Sequence, residues 1–67
     1  MENKDYKKKV LEFLKDTEKS TSEISSLLSR DFYFTLRLLE EMKEENLLEK
    51  IEIKNFNYWK IKNGKEI

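Results

Sequence analysis

The stretch that decides the fold is residues 20–53, which read STSEISSLLSRDFYFTLRLLEEMKEENLLEKIEI. At its start, Ser20 and Glu23 have the spacing of a capping box, in which each side chain accepts a hydrogen bond from the backbone N–H of the other residue. The pattern predicts a short helix over residues 21–28, with its apolar residues, Leu27 included, on one side. A helix of about eight residues does not persist alone in water, so this one must pack against the rest of the chain.

A second, longer helix is predicted over residues 31–45, after a break at residues 29–31. Asp31 is suited to cap it, because a carboxylate accepts hydrogen bonds from first-turn amides and complements the helix dipole. Asn46 is expected to end it, since Asn tolerates the left-handed backbone conformation. The buried side follows helical spacing and comprises Thr35, Leu38, Leu39 and Met42. Two helices separated by about three residues meet at a steep angle, which is the geometry of a helix-turn-helix.

Residues 4–16 predict a supporting helix that precedes this pair. Its apolar stripe at helical spacing comprises Tyr6, Val10, Phe13, Leu14 and Thr17. The lysines of the segment fall mostly outside this stripe, and they are interpreted as a solvated face. A helix that contacts phosphate groups is the alternative interpretation of the same lysines.

Residues 47–62 predict a β-hairpin, because apolar and polar residues alternate in two runs separated by a turn. Matching apolar residues across the two strands favours one register, which also contains an opposite-charge pair. That register sets Ile51 opposite Ile61, Ile53 opposite Trp59 and Glu52 opposite Lys60. It leaves residues 55–57 as a three-residue loop, with Asn57 in the left-handed position that such loops require. Residues 63–67 are expected to form a polar tail.

In this order the elements predict a single α+β domain over residues 1–67, with three helices followed by a two-stranded hairpin. A minimal strand around Lys19–Thr21 is compatible with the same order. A chain of 67 residues buries only a limited fraction of its surface, so dimerisation would add to its stability.

The composition argues against catalysis. The chain has no Cys and no His, and its one Gly is Gly64, so it lacks a Cys–His pair, thiolate or imidazole metal ligands and a glycine-rich phosphate loop. The glutamates at positions 40, 41, 44 and 45 are interpreted as a solvated helix face. We therefore expect no enzymatic activity, no cofactor, no metal ion and no small-molecule substrate.

The net charge of +0 hides an uneven distribution of charge along the chain. Residues 32–49 contain two basic and five acidic residues, a net charge of −3, whereas residues 50–67 contain five basic and two acidic residues, a net charge of +3. No apolar run approaches the roughly 18 residues of a membrane span. The opening residues MENKDYKKK are not followed by an apolar signal-type segment, so we expect a cytoplasmic protein without a membrane partner.

From Ser20 to Lys62 the sequence resembles the winged helix-turn-helix family of small prokaryotic and viral DNA-binding regulators. The resemblance rests on the capping box, the break at residues 29–31 and the run LLEEMKEENLLEK at residues 38–50. That run is similar to the family's passage from the second helix of the motif into the wing. Asn46 stands where many members have Gly, a difference that the tolerance of Asn for positive φ accommodates.

The resemblance implies sequence-specific binding of double-stranded DNA by a transcriptional regulator that acts as a homodimer. The front of the longer helix would enter the major groove, and the hairpin wing would lie along the backbone or minor groove. The residues expected to contact DNA are Ser29, Arg30, Tyr33, Leu36, Arg37, Lys54, Asn55, Asn57, Lys60 and Lys62. Among them, Arg30, Tyr33 and Arg37 are expected to provide specificity and positioning.

The front of the longer helix departs from the family's pattern, because it displays Phe32, Tyr33 and Leu36 where polar side chains usually read base edges. These side chains can fold into the core, contact thymine methyl groups and phosphates, or form a protein contact. The alternative function is therefore a winged-helix protein–protein interaction module, such as a small inhibitor or adaptor. The wing lysines likewise have two interpretations. They can bind DNA phosphates, or they can keep the protein soluble and protect the sheet edge from pairing with other chains.

Two surfaces are candidates for dimerisation. One is the first helix, through Tyr6, Leu11 or Phe13, and the other is the aromatic wing edge around Phe56 and Tyr58. A continuous basic stripe across the helices and wing would favour DNA as the partner. An apolar patch ringed by glutamates would favour a protein partner.

Overall fold

A computed structural model describes residues 2–62 of the chain, with side chains from Lys4 onward, and the predicted tail at residues 63–67 lies outside the described residues. The elements are α1 (Glu2–Phe13), β1 (Lys19–Ser20), α2 (Thr21–Leu28), α3 (Phe32–Glu44), β2 (Leu48–Ile53) and β3 (Phe56–Ile61). The three strands form one antiparallel sheet in the order β1-β3-β2. The fold is therefore α+β, and the described sheet has three strands where the sequence predicted a two-stranded hairpin with an optional third.

Hydrogen bonds at the helix ends confirm the predicted caps. The Ser20 hydroxyl accepts from the Glu23 N–H at 3.2 Å, and the Glu23 carboxylate accepts from the Ser20 N–H at 2.9 Å. At the start of α3, the Asp31 carboxylate accepts from the Phe34 N–H at 2.7 Å. Asn46 follows α3 with a φ of 65°, in the left-handed region expected for it. The caps at Ser20 and Asp31 satisfy amides that the helices themselves leave unpaired.

The first helix ends earlier than predicted, at Phe13 instead of Asp16. Asp16 has a φ of 62°, which turns the chain out of the helical path. The next residue, Thr17, is exposed and donates its backbone N–H to the Leu14 carbonyl at 3.2 Å. Thr17 was predicted to belong to the apolar stripe of α1, and that prediction is wrong because the helix has already ended.

The hairpin register differs from the prediction by three residues. Leu48 pairs with Ile61, Lys50 with Trp59, Ile51 with Tyr58 and Ile53 with Phe56. The predicted pairs Ile51–Ile61, Ile53–Trp59 and Glu52–Lys60 are therefore wrong, although Lys60 still has an acidic neighbour, Glu49, directly opposite.

The turn explains this register. Lys54 and Asn55 have φ values of 46° and 72°, so they form a two-residue turn with both central residues left-handed. Such a type I′ turn matches the twist of the flanking strands. Phe56 and Asn57, which were predicted to lie in a loop, begin β3, and Asn57 does not take the left-handed position.

The core lies between the three helices and one face of the sheet. It comprises Val10, Leu14, Ile24, Leu28, Leu38, Leu39, Met42, Leu48 and Trp59. Trp59 is fully buried, and its indole Nε1 donates to the Thr21 Oγ1 at 2.8 Å, which joins β3 to the start of α2. Leu27, predicted on the buried side of α2, is instead exposed, since Ile24 and Leu28 at i and i+4 define that side. None of the described helices has the length and apolar character needed to cross a membrane.

Candidate functional site

An open depression of about 430 Å³ lies where the break between α2 and α3 meets the first turns of α3. Its lining comprises Arg30, Asp31, Tyr33, Phe34, Arg37, Leu38 and Glu41. Three of these, Arg30, Tyr33 and Arg37, are residues that the sequence predicted to be most important for binding. The fold brings them together because Tyr33 and Arg37 are one helical turn apart on α3 and Arg30 immediately precedes the cap of that helix.

Aromatic rings hold the guanidinium of Arg30 in place. Its central carbon lies 3.9 Å from the ring centroid of Phe34 and 5.3 Å from that of Tyr6. One guanidinium nitrogen, Nη1, also donates to the Tyr6 hydroxyl at 2.9 Å. The two rings meet edge to face at 5.2 Å, so they form a support that restricts the guanidinium while the residue remains exposed. A cation fixed before binding loses less conformational entropy when it meets an anion.

This support was not predicted from the sequence. The spacing of Arg30 and Phe34, four residues apart across the Asp31 cap, is a local signal that suggests their contact. The contribution of Tyr6 comes from a different helix, 24 residues away along the chain, and has no local signal.

The aromatic front of α3 divides into exposed and packed residues. Tyr33 is 74% exposed and Phe32 is 44% exposed, and their rings meet edge to face at 5.8 Å. Leu36, predicted to contact DNA, is half-buried and packs against the core. Phe32 does not fold into the core, which was one of the interpretations left open. Arg37 and Ser29 are both exposed, and Ser29 has a left-handed backbone that ends α2.

Ion pairs engage three glutamates in and just after the second half of α3. Lys7 on α1 lies between two of them, with its Nζ 3.1 Å from a Glu41 oxygen and 2.9 Å from a Glu45 oxygen. Lys50 on β2 lies 3.2 Å from a Glu40 oxygen. Hydrogen bonds to Glu45 and then to Glu41 raise the pKa of Lys7 above its usual 10.5. These ion pairs reduce the negative electrostatic potential around α3. Because the charge of Lys7 is paired, Lys7 does not contribute to a basic stripe on α1.

The wing residues predicted to contact DNA do not form one group. Lys54 and Asn55 are exposed at the tip of the hairpin. Lys60 and Lys62 are half-buried near its base, on the sheet face opposite Trp59, and Lys60 faces Glu49. Asn57 lies on the same face as Trp59 and is half-buried opposite Glu52. Of the wing residues that the structure describes, those at the tip thus present an exposed cation next to an exposed amide.

Among residues 2–62, no three acidic side chains come together as they would to hold a metal ion.

Comparison of the chain with protein-family models, with curated proteins and with solved structures gave no significant match.

Proposed function

We propose that this protein is a winged helix-turn-helix domain that binds double-stranded DNA, as a homodimeric transcriptional regulator of the cytoplasm. The observation that carries the proposal is the grouping of Arg30, Tyr33 and Arg37 around one open depression at the start of α3. The element order supports it, because α2 and α3 are separated by only three residues and a β-hairpin follows them.

The two arginines have different roles in this proposal. Arg30 is supported by the rings of Phe34 and Tyr6, which suits a fixed contact with a backbone phosphate. Arg37 is exposed on α3, one turn beyond Tyr33, in reach of a base edge, where a guanidinium pairs best with guanine. Tyr33 lies between them with most of its ring in solvent, so its hydroxyl can donate to a phosphate and its ring can contact a thymine methyl group.

The wing contributes through its tip. Lys54 and Asn55 are exposed in the β2–β3 turn and provide one positive charge and one amide for the DNA backbone. Lys60 and Lys62 are held near the base of the hairpin and are proposed to add only a longer-range attraction. The ion pairs of Glu40, Glu41 and Glu45 support DNA binding indirectly, since they reduce the repulsion that α3 would otherwise exert.

A protein partner is the second candidate function. The observation that favours it is the exposed edge-to-face pair of Phe32 and Tyr33, because exposed aromatic side chains often anchor protein interfaces. In that case the two arginines would form the rim of the contact instead of its centre.

The proposal is tested by NMR titration of the labelled protein with a mixed-sequence duplex at low salt. We expect amide shifts to concentrate at residues 29–37 and at the turn of residues 54–55, because these segments carry the exposed cations and amides. Arg37→Gln should weaken binding on the order of tenfold, the effect of losing one charge-assisted contact. The matched control, Lys9→Gln, removes one exposed positive charge from α1 and should change affinity much less.

Absence of shifts at low salt, or shifts confined to α1, would contradict DNA binding by this surface. An equal loss of affinity in Arg37→Gln and Lys9→Gln would show that only overall charge matters. Retention of DNA binding in Phe32→Ala, which removes half of the aromatic pair, would further separate the DNA surface from a protein-binding one.

A further inference from the structure

The strand β2 is an edge of the described sheet, since the strand order is β1-β3-β2. It is six residues long, from Leu48 to Ile53, and pairs on one side only within residues 2–62. An edge strand of this length presents a row of backbone groups that can pair with another chain. The side chains of β2 determine which chain can pair with this edge.

The hydrogen-bond pattern of the hairpin shows which backbone groups point outward. The Lys62 N–H donates to the Leu47 carbonyl at 3.0 Å, so these two residues form a hydrogen-bonded pair. Such pairs alternate along an antiparallel ladder, which makes Glu49 and Ile51 hydrogen-bonded to β3 as well. Leu48, Lys50 and Glu52 therefore direct their N–H and C=O groups away from β3, towards the open edge.

From this pattern we infer that β2 pairs antiparallel with β2 of a second copy of this chain, with Ile51 of both copies on the two-fold axis. Around this axis Lys50 of each copy lies opposite Glu52 of the other. The outward backbone groups of Lys50 and Glu52 then meet as hydrogen-bonded pairs, and the same two residues form two opposite-charge side-chain pairs. The inference deepens the proposed homodimer by assigning its interface.

Charge selects this register over its neighbours. A two-fold axis perpendicular to the sheet pairs residues of the same face, so the register can shift only in steps that keep the faces matched. The shift in one direction places Lys50 of both copies opposite each other, and the shift in the other direction places both Glu52 residues opposite each other. Like charges directly opposite are destabilising, so of these three registers the one centred on Ile51 has complementary charges.

The outer face of the hairpin supports the same arrangement. Ile51 and Tyr58 are half-buried there, while Ile53 is 47% exposed and Phe56 is 62% exposed, so the four form an apolar patch next to the edge. Pairing through β2 brings the two patches together through contact of the Ile51 side chains. The result is a continuous six-stranded sheet, in which both β2 strands become internal.

The other predicted dimer surface is less available. Tyr6, Leu11 and Phe13 of α1 are partly buried and pack against the protein's own core. Tyr6 is also engaged with Arg30 and Phe34. Of the two surfaces considered from the sequence, the wing therefore keeps the larger share of its apolar side chains exposed.

Charge-swap variants test the pairing by light scattering and sedimentation over a wide range of protein concentrations, without DNA. Glu52→Lys places Lys50 opposite a lysine twice in the dimer, and it should raise the dimer dissociation constant at least about tenfold. Lys50→Glu should have the same effect, although it also removes the ion pair with Glu40. Glu18→Lys makes the same change of charge at an exposed position outside β2 and serves as the control.

The decisive sample is an equimolar mixture of Glu52→Lys and Lys50→Glu. Each variant alone has two like-charge pairs, but a heterodimer of the two has only opposite-charge pairs, so dimer should reappear on mixing. Wild-type protein that stays monomeric at high concentration, or a mixture that stays monomeric, would overturn the inference. Neither result bears on the DNA contacts of α3, because the DNA titration of the wild-type chain reports those separately.

Discussion

At the scale of single residues, Lys7 shows how one side chain joins two elements. Its ammonium bridges Glu41 and Glu45, and so ties α1 to the last turns of α3. The side chain of Lys7 is only 20% exposed, whereas those of the two glutamates are 49% and 42% exposed. Exposed pairs of this kind contribute little by themselves, but one cation shared by two carboxylates fixes the relative position of two helices.

The raised pKa of Lys7 gives a prediction with a definite sign. Because the folded pKa lies above 10.5, the contribution of Lys7 to stability is complete below that pH and is lost as pH rises through the folded value. Lys7→Gln removes the ammonium, so its stability deficit relative to wild type should shrink as pH rises above about 10.5. Urea denaturation of both proteins at neutral and at strongly alkaline pH measures this, and a deficit that stays constant or widens would contradict it.

At the scale of elements, the β2–β3 turn determines the face that each hairpin residue occupies. Its two left-handed residues, Lys54 and Asn55, set Ile53 opposite Phe56. With that register, Trp59 and Leu48 enter the core, and Ile51 and Ile53 turn outward with Tyr58 and Phe56. The turn type therefore determines which apolar residues of the hairpin enter the core and which remain at the surface.

Replacement of the turn residues should stabilise the protein. Left-handed backbone costs about 1–2 kcal/mol for an ordinary residue, and Lys is not among the residues that tolerate it well. The double variant with Lys54→Asn and Asn55→Gly has the sequence that type I′ turns favour, and it should raise the free energy of unfolding by about 1 kcal/mol. Thermal and urea unfolding of the two proteins measure the difference.

The control for the turn is Asn57→Gly. In the observed register Asn57 is a strand residue, so Gly there should be destabilising by roughly 0.5–1 kcal/mol. In the three-residue loop that the sequence favoured, Asn57 would be left-handed, and the same substitution would be neutral or stabilising. Opposite outcomes thus distinguish the two registers.

The limits of prediction from sequence follow from the range of the interactions. The caps at Ser20 and Asp31 and the buried side of α3 were predictable, because each depends on residues three to seven apart. The hairpin register was not, since opposite-charge and apolar pairs fit more than one alignment and Lys54 gives no strong turn signal. In the candidate site, the spacing of Arg30, Tyr33 and Arg37 along the chain predicts that they lie close together, but the support of Arg30 by Tyr6 depends on a contact with α1.

At the scale of the whole molecule, the described residues around α3 separate into paired acidic side chains in and after its second half and two arginines before it and in its first half. Glu40, Glu41 and Glu45 are engaged with lysines of α1 and β2. Arg30 precedes the helix and Arg37 lies in its first half, and both line the open depression together with Glu41, which is one turn beyond Arg37. In the proposed function, these arginines make a local electrostatic contact with phosphate groups and bases although the net charge of the chain is +0.

The measurement that tests the central claim most directly is the salt dependence of duplex binding, followed by fluorescence anisotropy. If Arg30 and Lys54 each neutralise one phosphate, a plot of log affinity against log salt concentration should have a slope of about −2 per protein chain. Arg30→Gln should reduce the magnitude of that slope by about 1 because it removes a phosphate contact, whereas Arg37→Gln, which removes a base contact, should lower affinity with a smaller change of slope. Lys9→Gln should leave the slope unchanged. Binding that is absent at low salt, or a slope that Arg30→Gln does not alter, would contradict the proposal that the start of α3 contacts DNA.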